Sequence, residues 1–146
     1  MKNQKNILNI SYLIRIFTSY MIIYLTKIPL FLKIIFIMVL DRIDCMPTYY
    51  PFKGPLFSSG KEICKTNYYQ KGDKITDIIC YLILLVYLIK HQFFNQNYLL
   101  FLSFLFIYRL IGVILFCQYE DRNYLIYFPN FFIIISMVLA TIFYFN

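Results

Sequence analysis

Four of the seven acidic residues form two pairs whose spacing suits metal binding. Asp41 and Asp44 lie in the segment DRIDC, and Asp73 and Asp77 lie in GDKITD. Separations of three and four residues place both carboxylates of a pair on one face of a helix. Carboxylate oxygens are the ligands that Mg²⁺ prefers, and such ions commonly bridge carboxylates to substrate phosphates. The pattern favours a shared site for Mg²⁺ or Mn²⁺ if the chain brings the two pairs together.

A purely structural role explains one pair better than the other. Asp73 is predicted to cap a helix N-terminus, and Asp77 to lie in the first turn, where the helix dipole favours a carboxylate. Asp41 and Asp44 are predicted at the C-terminal end of the preceding helix, where each acid costs a few tenths to about 1 kcal/mol. Salt bridges to nearby cations such as Lys74 would offset that cost without a metal. Both interpretations stay open.

Composition indicates the surroundings of these acids. Of the 146 residues, 61% are hydrophobic and 14% are charged, whereas ordinary soluble domains have roughly 25% charged residues. A soluble chain this short could not bury so much apolar surface, but lipid covers such surface on a membrane helix. The sequence therefore predicts an all-α membrane protein, with residues 1–146 in a single transmembrane domain.

Five apolar stretches are long enough, or nearly so, to cross a bilayer at about 20 residues per span. They cover approximately residues 8–25, 28–45, 74–90, 98–117 and 124–144, which predicts a bundle of about five transmembrane helices. The number falls to four if the first helix lies flat on the membrane, because Ser11, Arg15, Thr18 and Ser19 form a polar stripe along it. A polar loop is predicted at about residues 46–72, which are rich in Pro and Gly.

Positive charge is distributed unequally between the two sides of this bundle. With five spans, only Lys27 and Lys90 lie on one side, and nine cations lie on the side of the N-terminus and the long loop: Lys2, Lys5, Arg42, Lys53, Lys61, Lys65, Lys71, Lys74 and Arg122. The positive-inside rule then predicts a cytoplasmic N-terminus and 46–72 loop, and a C-terminus outside or in a lumen. The net charge of +7 reflects topology and attraction to anionic lipid, so membrane lipids rather than nucleic acid are the predicted partners.

Two further cations are candidates for function. Arg109 lies within the predicted fourth span, where an unpaired cation is costly and faces the bundle interior. It could hold a substrate phosphate or pair with an acid such as Asp77, while Gly112, one turn later, is predicted to allow close helix packing. Arg122 lies in the short loop QYEDRNY on the same side as the acid pairs. It belongs either to a solvated turn or to the edge of a headgroup pocket.

The cysteines favour neither a disulfide nor a zinc site. Cys45 and Cys64 share the long loop and are predicted to be free thiols if that loop is cytoplasmic. The only histidine, His91, is predicted on the opposite side of the membrane, and the sequence has no CxxC. A zinc site is therefore not expected.

One acid pair lies at the end of a predicted span and the other at the start of the next span. This arrangement resembles the aspartate motif of the CDP-alcohol phosphatidyltransferases, which are integral membrane enzymes of phospholipid synthesis. The resemblance covers roughly residues 28–90 and depends on four aspartates and their topology. It implies that Asp41, Asp44, Asp73 and Asp77 hold Mg²⁺ or Mn²⁺, that Asp77 is also the general base on the incoming alcohol, and that a CDP-activated lipid is the donor. The cations that would contact the substrate are Lys74, Arg109 and Arg122.

The chain departs from that family's pattern at several positions. The family has a glycine after its second aspartate, then two variable residues and then Ala-Arg, and this sequence has Cys45, Thr48 and Tyr49 at those places; Tyr69 replaces another glycine. Loss of a glycine removes close backbone approach to the nucleotide, and the chain has one span fewer than the family. Two other functions stay open: a non-catalytic structural or assembly protein, and a small channel or transporter. A homodimer is compatible with each.

Overall fold

The computed structural model describes residues 2–43 and 66–145. Within these ranges the chain is helical, without strands, and the helices are α1 Lys2–Leu25, α2 Leu30–Ile43, α3 Asn67–Lys90, α4 Gln96–Tyr119, α5 Asn123–Tyr127 and α6 Phe131–Phe145. Asp44, Cys45, Cys64 and most of the predicted 46–72 loop lie outside the described residues. Three segments are long and apolar enough to cross a membrane: Leu8–Leu25, Gln96–Tyr119 and Asn123–Phe145.

α3 begins well before the apolar run that predicts it. The helix starts at Asn67, seven residues before the predicted boundary, and the Thr66 side chain caps it by accepting a hydrogen bond from the Tyr69 amide (3.3 Å). Asp73 and Asp77 are therefore the seventh and eleventh residues of the helix, so the predicted N-cap and first-turn positions are wrong. Hydropathy does not detect the first two turns, which are polar, although a threonine N-cap is enough to begin them.

The last predicted span, 124–144, is interrupted near its start. Proline has no amide hydrogen and restricts the residue before it; Phe128, which precedes Pro129, has φ −117° and ψ 67°. The prediction of one continuous helix is wrong at this point, because the chain forms α5 and then α6 with a break at residues 128–130. That break brings backbone carbonyls towards α4.

Polar side chains face inwards and many apolar ones face outwards. The stripe on α1 illustrates this: Ser11, Arg15 and Ser19 are buried, whereas Leu13 and Phe17 are exposed to 67% and 63%. α3 packs against both α1 and α4, and α6 packs against α2 and α4. The interior still contains a continuous apolar cluster, whose fully buried members include Ile23, Ile34, Leu84, Leu88, Leu102 and Phe132. An apolar exterior around charged interior groups is the arrangement that lipid permits.

Candidate functional site

Three of the four aspartates predicted to bind metal converge in the structure. Asp41 lies near the end of α2, and Asp73 and Asp77 lie one turn apart on α3. Each offers a carboxylate oxygen, and the three oxygens lie within 4.8 Å of one another. Asp77 is 2% exposed and Asp73 8%, whereas Asp41 is partly exposed. The acid cluster, defined here as Asp41, Asp73 and Asp77, therefore joins two helices at a partly open site.

Arg15 of α1 lies at the centre of the acid cluster. Its Nη2 donates to Asp41 Oδ1 at 2.8 Å and also to Asp77 Oδ1, and its Nη1 donates to Asp73 Oδ1 at 3.1 Å. The Arg15 side chain is 3% exposed. A planar fork of donors suits such multiple contacts, which a lysine ammonium could not reproduce. One side chain thus connects α1, α2 and α3.

Sequence reasoning missed this role of Arg15. The polar stripe on α1 was the available signal, because a charged residue within a span usually faces a partner in the interior. The stripe could not identify the partner, since the depth of α1 relative to α2 and α3 depends on packing. Arg15 becomes a site residue only when the three helices are placed side by side.

Lys74 supplies the second cation of the site. Its Nζ contacts Asp73 Oδ2 at 2.6 Å and Asp77 Oδ2 at 3.1 Å. The side chain, which the sequence assigned to substrate binding, thus lies against the acids. With all five described groups ionised, three carboxylates face two cations, and the site carries one excess negative charge.

The carboxylate oxygens of the acid cluster suit a divalent metal, but Arg15 and Lys74 occupy them in the structure. Carboxylate oxygens are suitable ligands for a hard cation such as Mg²⁺. The Oδ1 atoms of all three acids contact Arg15, and the Oδ2 atoms of Asp73 and Asp77 contact Lys74. A metal ion would have to take oxygens that these cations hold. Metal and Arg15 are therefore competitors for the same ligands.

Gly72 determines how closely α1 approaches α3 beside the acid cluster. A Cβ at this position would lie 2.5 Å from Cε2 of the Tyr12 ring, far inside van der Waals contact. The Tyr12 hydroxyl donates to the Tyr69 carbonyl at 3.0 Å, which anchors the ring. Because Tyr12 lies one turn before Arg15 on α1, this contact positions Arg15 opposite Asp73.

Arg109 is held by backbone carbonyls. Its Nη1 donates to the Phe128 carbonyl at 2.6 Å and to the Leu125 carbonyl at 3.4 Å. The predicted salt bridge to an acid does not form within the described residues, because the break before α6 supplies these acceptors. A Cβ on Gly112 would lie 2.3 Å from Cβ of Phe128, so the prediction that Gly112 allows close packing is confirmed.

A neutral polar side chain, Asn130, lies two residues after Phe128, whose carbonyl binds Arg109. The Asn130 side-chain amide donates to the Tyr81 hydroxyl at 2.7 Å, and Tyr81 follows Asp77 by one turn of α3. Within the described part of the chain, the buried Nε of Arg109 and the buried Oδ1 of Asn130 have no hydrogen-bond partner. Leaving such groups unsatisfied costs about 1–3 kcal/mol each, so a further polar partner of these two atoms would be stabilising.

Arg122 lies at the same end of the bundle but contacts other residues. Its Nε donates to Gln70 Oε1 at 2.9 Å, on the first turn of α3. Nearby, Glu120 accepts hydrogen bonds from Lys71 and Asn67, both at 2.6 Å. These hydrogen bonds hold the pKa of the Glu120 carboxyl below its usual range. They attach the turn after α4 to the start of α3.

Comparison with known proteins does not assign the chain to a family. No family model matches it, and no curated protein or solved structure is significantly similar to it. The acid cluster therefore has to be interpreted from its own geometry and chemistry.

Proposed function

We propose that this chain is a multi-pass integral membrane protein, a bundle of about five spans, in which the acid cluster binds Mg²⁺ or Mn²⁺ for phosphotransfer between a CDP-activated lipid and an alcohol. The observation that supports this function is the convergence of three carboxylates from two helices within 4.8 Å. Among the described residues the site has one more carboxylate than cation, which also favours an additional cation. The positive-inside rule orients the site towards the cytoplasm.

The metal ligands in this proposal are Asp41, Asp73 and Asp77, with Asp44 as a fourth. When bound, the metal would neutralise the charge on the diphosphate of the lipid donor. Asp77, as general base, accepts the proton of the alcohol hydroxyl while the alcohol oxygen bonds to the lipid-side phosphorus and the bond to the nucleoside monophosphate breaks. Its burial limits solvation of the carboxylate and keeps water from competing with the alcohol.

The cations have separate roles in the proposed reaction. Lys74 contacts two of the acids and would contact substrate phosphate as a mobile point charge. Arg109 has a buried Nε without a described partner and is suited to bind a phosphate oxygen. Arg122, at the end of the bundle, would contact a lipid headgroup.

One observation favours a second candidate function, that of a non-catalytic membrane protein. Arg15 already contacts all three carboxylates, and such a buried network can fix how helices pack without any chemistry. In that case Arg15 is a permanent partner of the acids. In the metal-binding function it is a partner that the metal displaces.

Binding of Mn²⁺ to detergent-purified protein tests the proposed function. We expect saturable binding on the order of micromolar concentration that is lost in D41N and in D77N. The matched control is D121N, since Asp121 is exposed and its described hydrogen bonds are to Asn123. Absence of saturable binding by the folded wild-type protein, or equal binding by D77N, would leave the acids as a structural network.

A further inference from the structure

A pocket of about 220 Å³ lies at the end of the bundle opposite the acid cluster, here called the far end. Its lining comes from the turn between α1 and α2, the turn between α3 and α4, and the last turns of α6. Leu30 lines it at the start of α2, and Asp41 follows 11 residues later, about 16 Å along the helix. The pocket is therefore separate from the acid cluster. The residues used below are Tyr87, Phe93, Phe94, Ala140, Phe143 and Tyr144.

The size and lining of the pocket suit one aromatic ring. Tyr87, Phe94 and Ala140 are buried, whereas Phe93 and Phe143 are exposed, so the pocket has a closed base and an open edge. An apolar cavity of about 150 Å³ is enough to hold benzene, and this pocket has room for a ring with a small substituent. Aromatic rings also pack favourably against one another.

The charge at the far end is positive. Lys27 lies in the turn between α1 and α2, Lys33 lies one turn into α2, and Lys90 ends α3. All of the described acidic side chains lie at the other end of the bundle, in the acid cluster and in the turn that follows α4. No described carboxylate therefore balances the three lysines, and an anion is the complementary ligand at this end.

Lys33 and Tyr87 have donor hydrogens that are available for an anion. The Lys33 Nζ donates to the Ile23 carbonyl at 2.6 Å and to the Tyr87 hydroxyl at 2.9 Å. These contacts hold the ammonium without neutralising it. An ammonium has three donors and a phenol has one, so within the described ranges one ammonium hydrogen and the Tyr87 hydroxyl hydrogen have no oxygen acceptor. Because the hydroxyl accepts from a cation, it is also a stronger donor.

We propose that this pocket binds a small aromatic carboxylate, with its ring among Phe93, Phe94 and Phe143. The carboxylate accepts from the Tyr87 hydroxyl beside the Lys33 ammonium. It supplies both the acceptor and the negative charge that the far end lacks, and charge-assisted hydrogen bonds are the strong ones. A neutral ring would supply no charge, and an aliphatic carboxylate would make no ring contacts. The inference does not depend on metal binding or phosphotransfer, because it concerns the opposite end of the bundle.

Titration of para-fluorobenzoate into detergent-purified protein, followed by fluorine NMR, tests the proposal. We expect saturable binding, with detergent alone as the blank. The neutral analogue para-fluorobenzyl alcohol has the same ring and should bind at least about ten-fold more weakly, because a hydrogen bond to a charged group is lost. Octanoate has the carboxylate without the ring, and unlabelled benzoate should displace the probe at a lower concentration than octanoate does.

Four variants separate the charge, the hydroxyl and the space. K33M and Y87F should each weaken binding of para-fluorobenzoate at least about ten-fold, and A140L should abolish it by filling the base of the pocket. The matched control for K33M is K90M, because Lys90 is exposed at the same end and does not line the pocket. K90M should bind the probe as the wild type does, since solvent and salt screen an exposed charge.

The alternative results have distinct meanings. Equal binding of the benzoate and the alcohol would overturn recognition of the anion, and displacement by octanoate as effective as by benzoate would overturn the aromatic class. Binding that survives A140L, or no saturable binding by the folded wild type, would overturn the pocket site. Equal weakening by K33M and K90M would overturn the specific role of Lys33. If K33M does not fold, Y87F and the comparison with the alcohol still decide. Mn²⁺ binding is measured separately, so failure of the metal site does not affect these results.

Discussion

Two buried cations at different depths of the bundle have different kinds of partners, which are carboxylates for one and neutral groups for the other. Arg15 and Lys33 are both 3% exposed. Arg15 contacts three carboxylates, whereas Lys33 donates to the Ile23 carbonyl at 2.6 Å and to the Tyr87 hydroxyl at 2.9 Å. Its Nζ also lies 4.6 Å from the centre of the Tyr87 ring, a cation–π contact.

The comparison shows that a buried cation in this fold does not require an acid. Lys33 has no carboxylate within 4.0 Å in the described ranges, and Arg109, held by carbonyls, has none either. Among the described residues, the three carboxylates around Arg15 and Lys74 are one more than these two cations neutralise. The excess is better explained if the acids also serve another cation. This is the physical basis for the metal-binding proposal.

Removal of the Arg15 side-chain charge should have the largest effect on the stability of the protein. Among the described cations, R15L leaves Lys74, which contacts Asp73 and Asp77 but not Asp41. Breaking a buried ionic network typically costs about 3–5 kcal/mol. We expect a large fall in the thermal midpoint in detergent and a partial recovery when Mn²⁺ is added, because the metal replaces the lost charge. An R15L protein as stable as wild type, or one that Mn²⁺ does not stabilise, would contradict the account.

Removal of the Lys33 side-chain charge should have a smaller effect on stability. K33M keeps the length of the side chain and removes hydrogen bonds to neutral groups, at a cost of about 1–3 kcal/mol. Because Lys33 has no described carboxylate partner, Mn²⁺ should not restore the loss. The comparison between the two cations would fail if K33M destabilised the protein as much as R15L, or if Mn²⁺ restored both equally.

Gly72 should couple helix packing to the site. G72A places a Cβ 2.5 Å from the Tyr12 ring, and overpacking of this kind costs about 1–3 kcal/mol. We expect tighter Mn²⁺ binding, since the Cβ pushes α1 away from α3 and moves Arg15 away from the carboxylates that it shares with the metal. G112A is the matched control, because it crowds Phe128 beside Arg109 instead. A loss of Mn²⁺ affinity in G72A, or an equal change of affinity in both variants, would contradict this coupling.

The exposed contact between Lys71 and Glu120 should have the smallest effect. Hydrogen bonds lower the pKa of Glu120, so its contribution to stability is present above the usual carboxyl pKa and is lost as pH falls through the lowered one. Because the Glu120 side chain is exposed, solvent screens the interaction. E120Q should leave the thermal midpoint unchanged at neutral pH and should reduce its fall in acid. A large change at neutral pH would contradict this description.

The sequence predicts that the acids come together, but it does not predict which residues are their partners. The spacing of Asp73 and Asp77 and the order of the helices were enough to predict that they approach Asp41, since both properties are local. The start of α3 at Asn67 was missed, because hydropathy detects contact with lipid and not helix formation. The break at Pro129 was missed because proline near a helix start is usually tolerated.

The role of Arg15 was beyond sequence reasoning for another reason. It depends on how deeply α1 sits against α3, and the contact between Tyr12 and Gly72 that fixes this depth joins residues 60 positions apart. The same holds for Arg109, whose acceptors are carbonyls and so carry no side-chain signal. Partners that are selected by packing become visible only in three dimensions.

The most direct test of the central claim is the affinity of R15Q for Mn²⁺ compared with that of the wild type. If the metal and Arg15 compete for the same carboxylates, removal of the guanidinium should tighten binding at least about ten-fold, since a unit charge about 4 Å away is worth on the order of 4 kcal/mol at an effective dielectric constant of 20. R15Q/D77N should lose that gain. A folded R15Q protein that binds Mn²⁺ no better than wild type would contradict the competition, and one that binds no Mn²⁺ at all would show that the acids are partners of Arg15 and not of a metal.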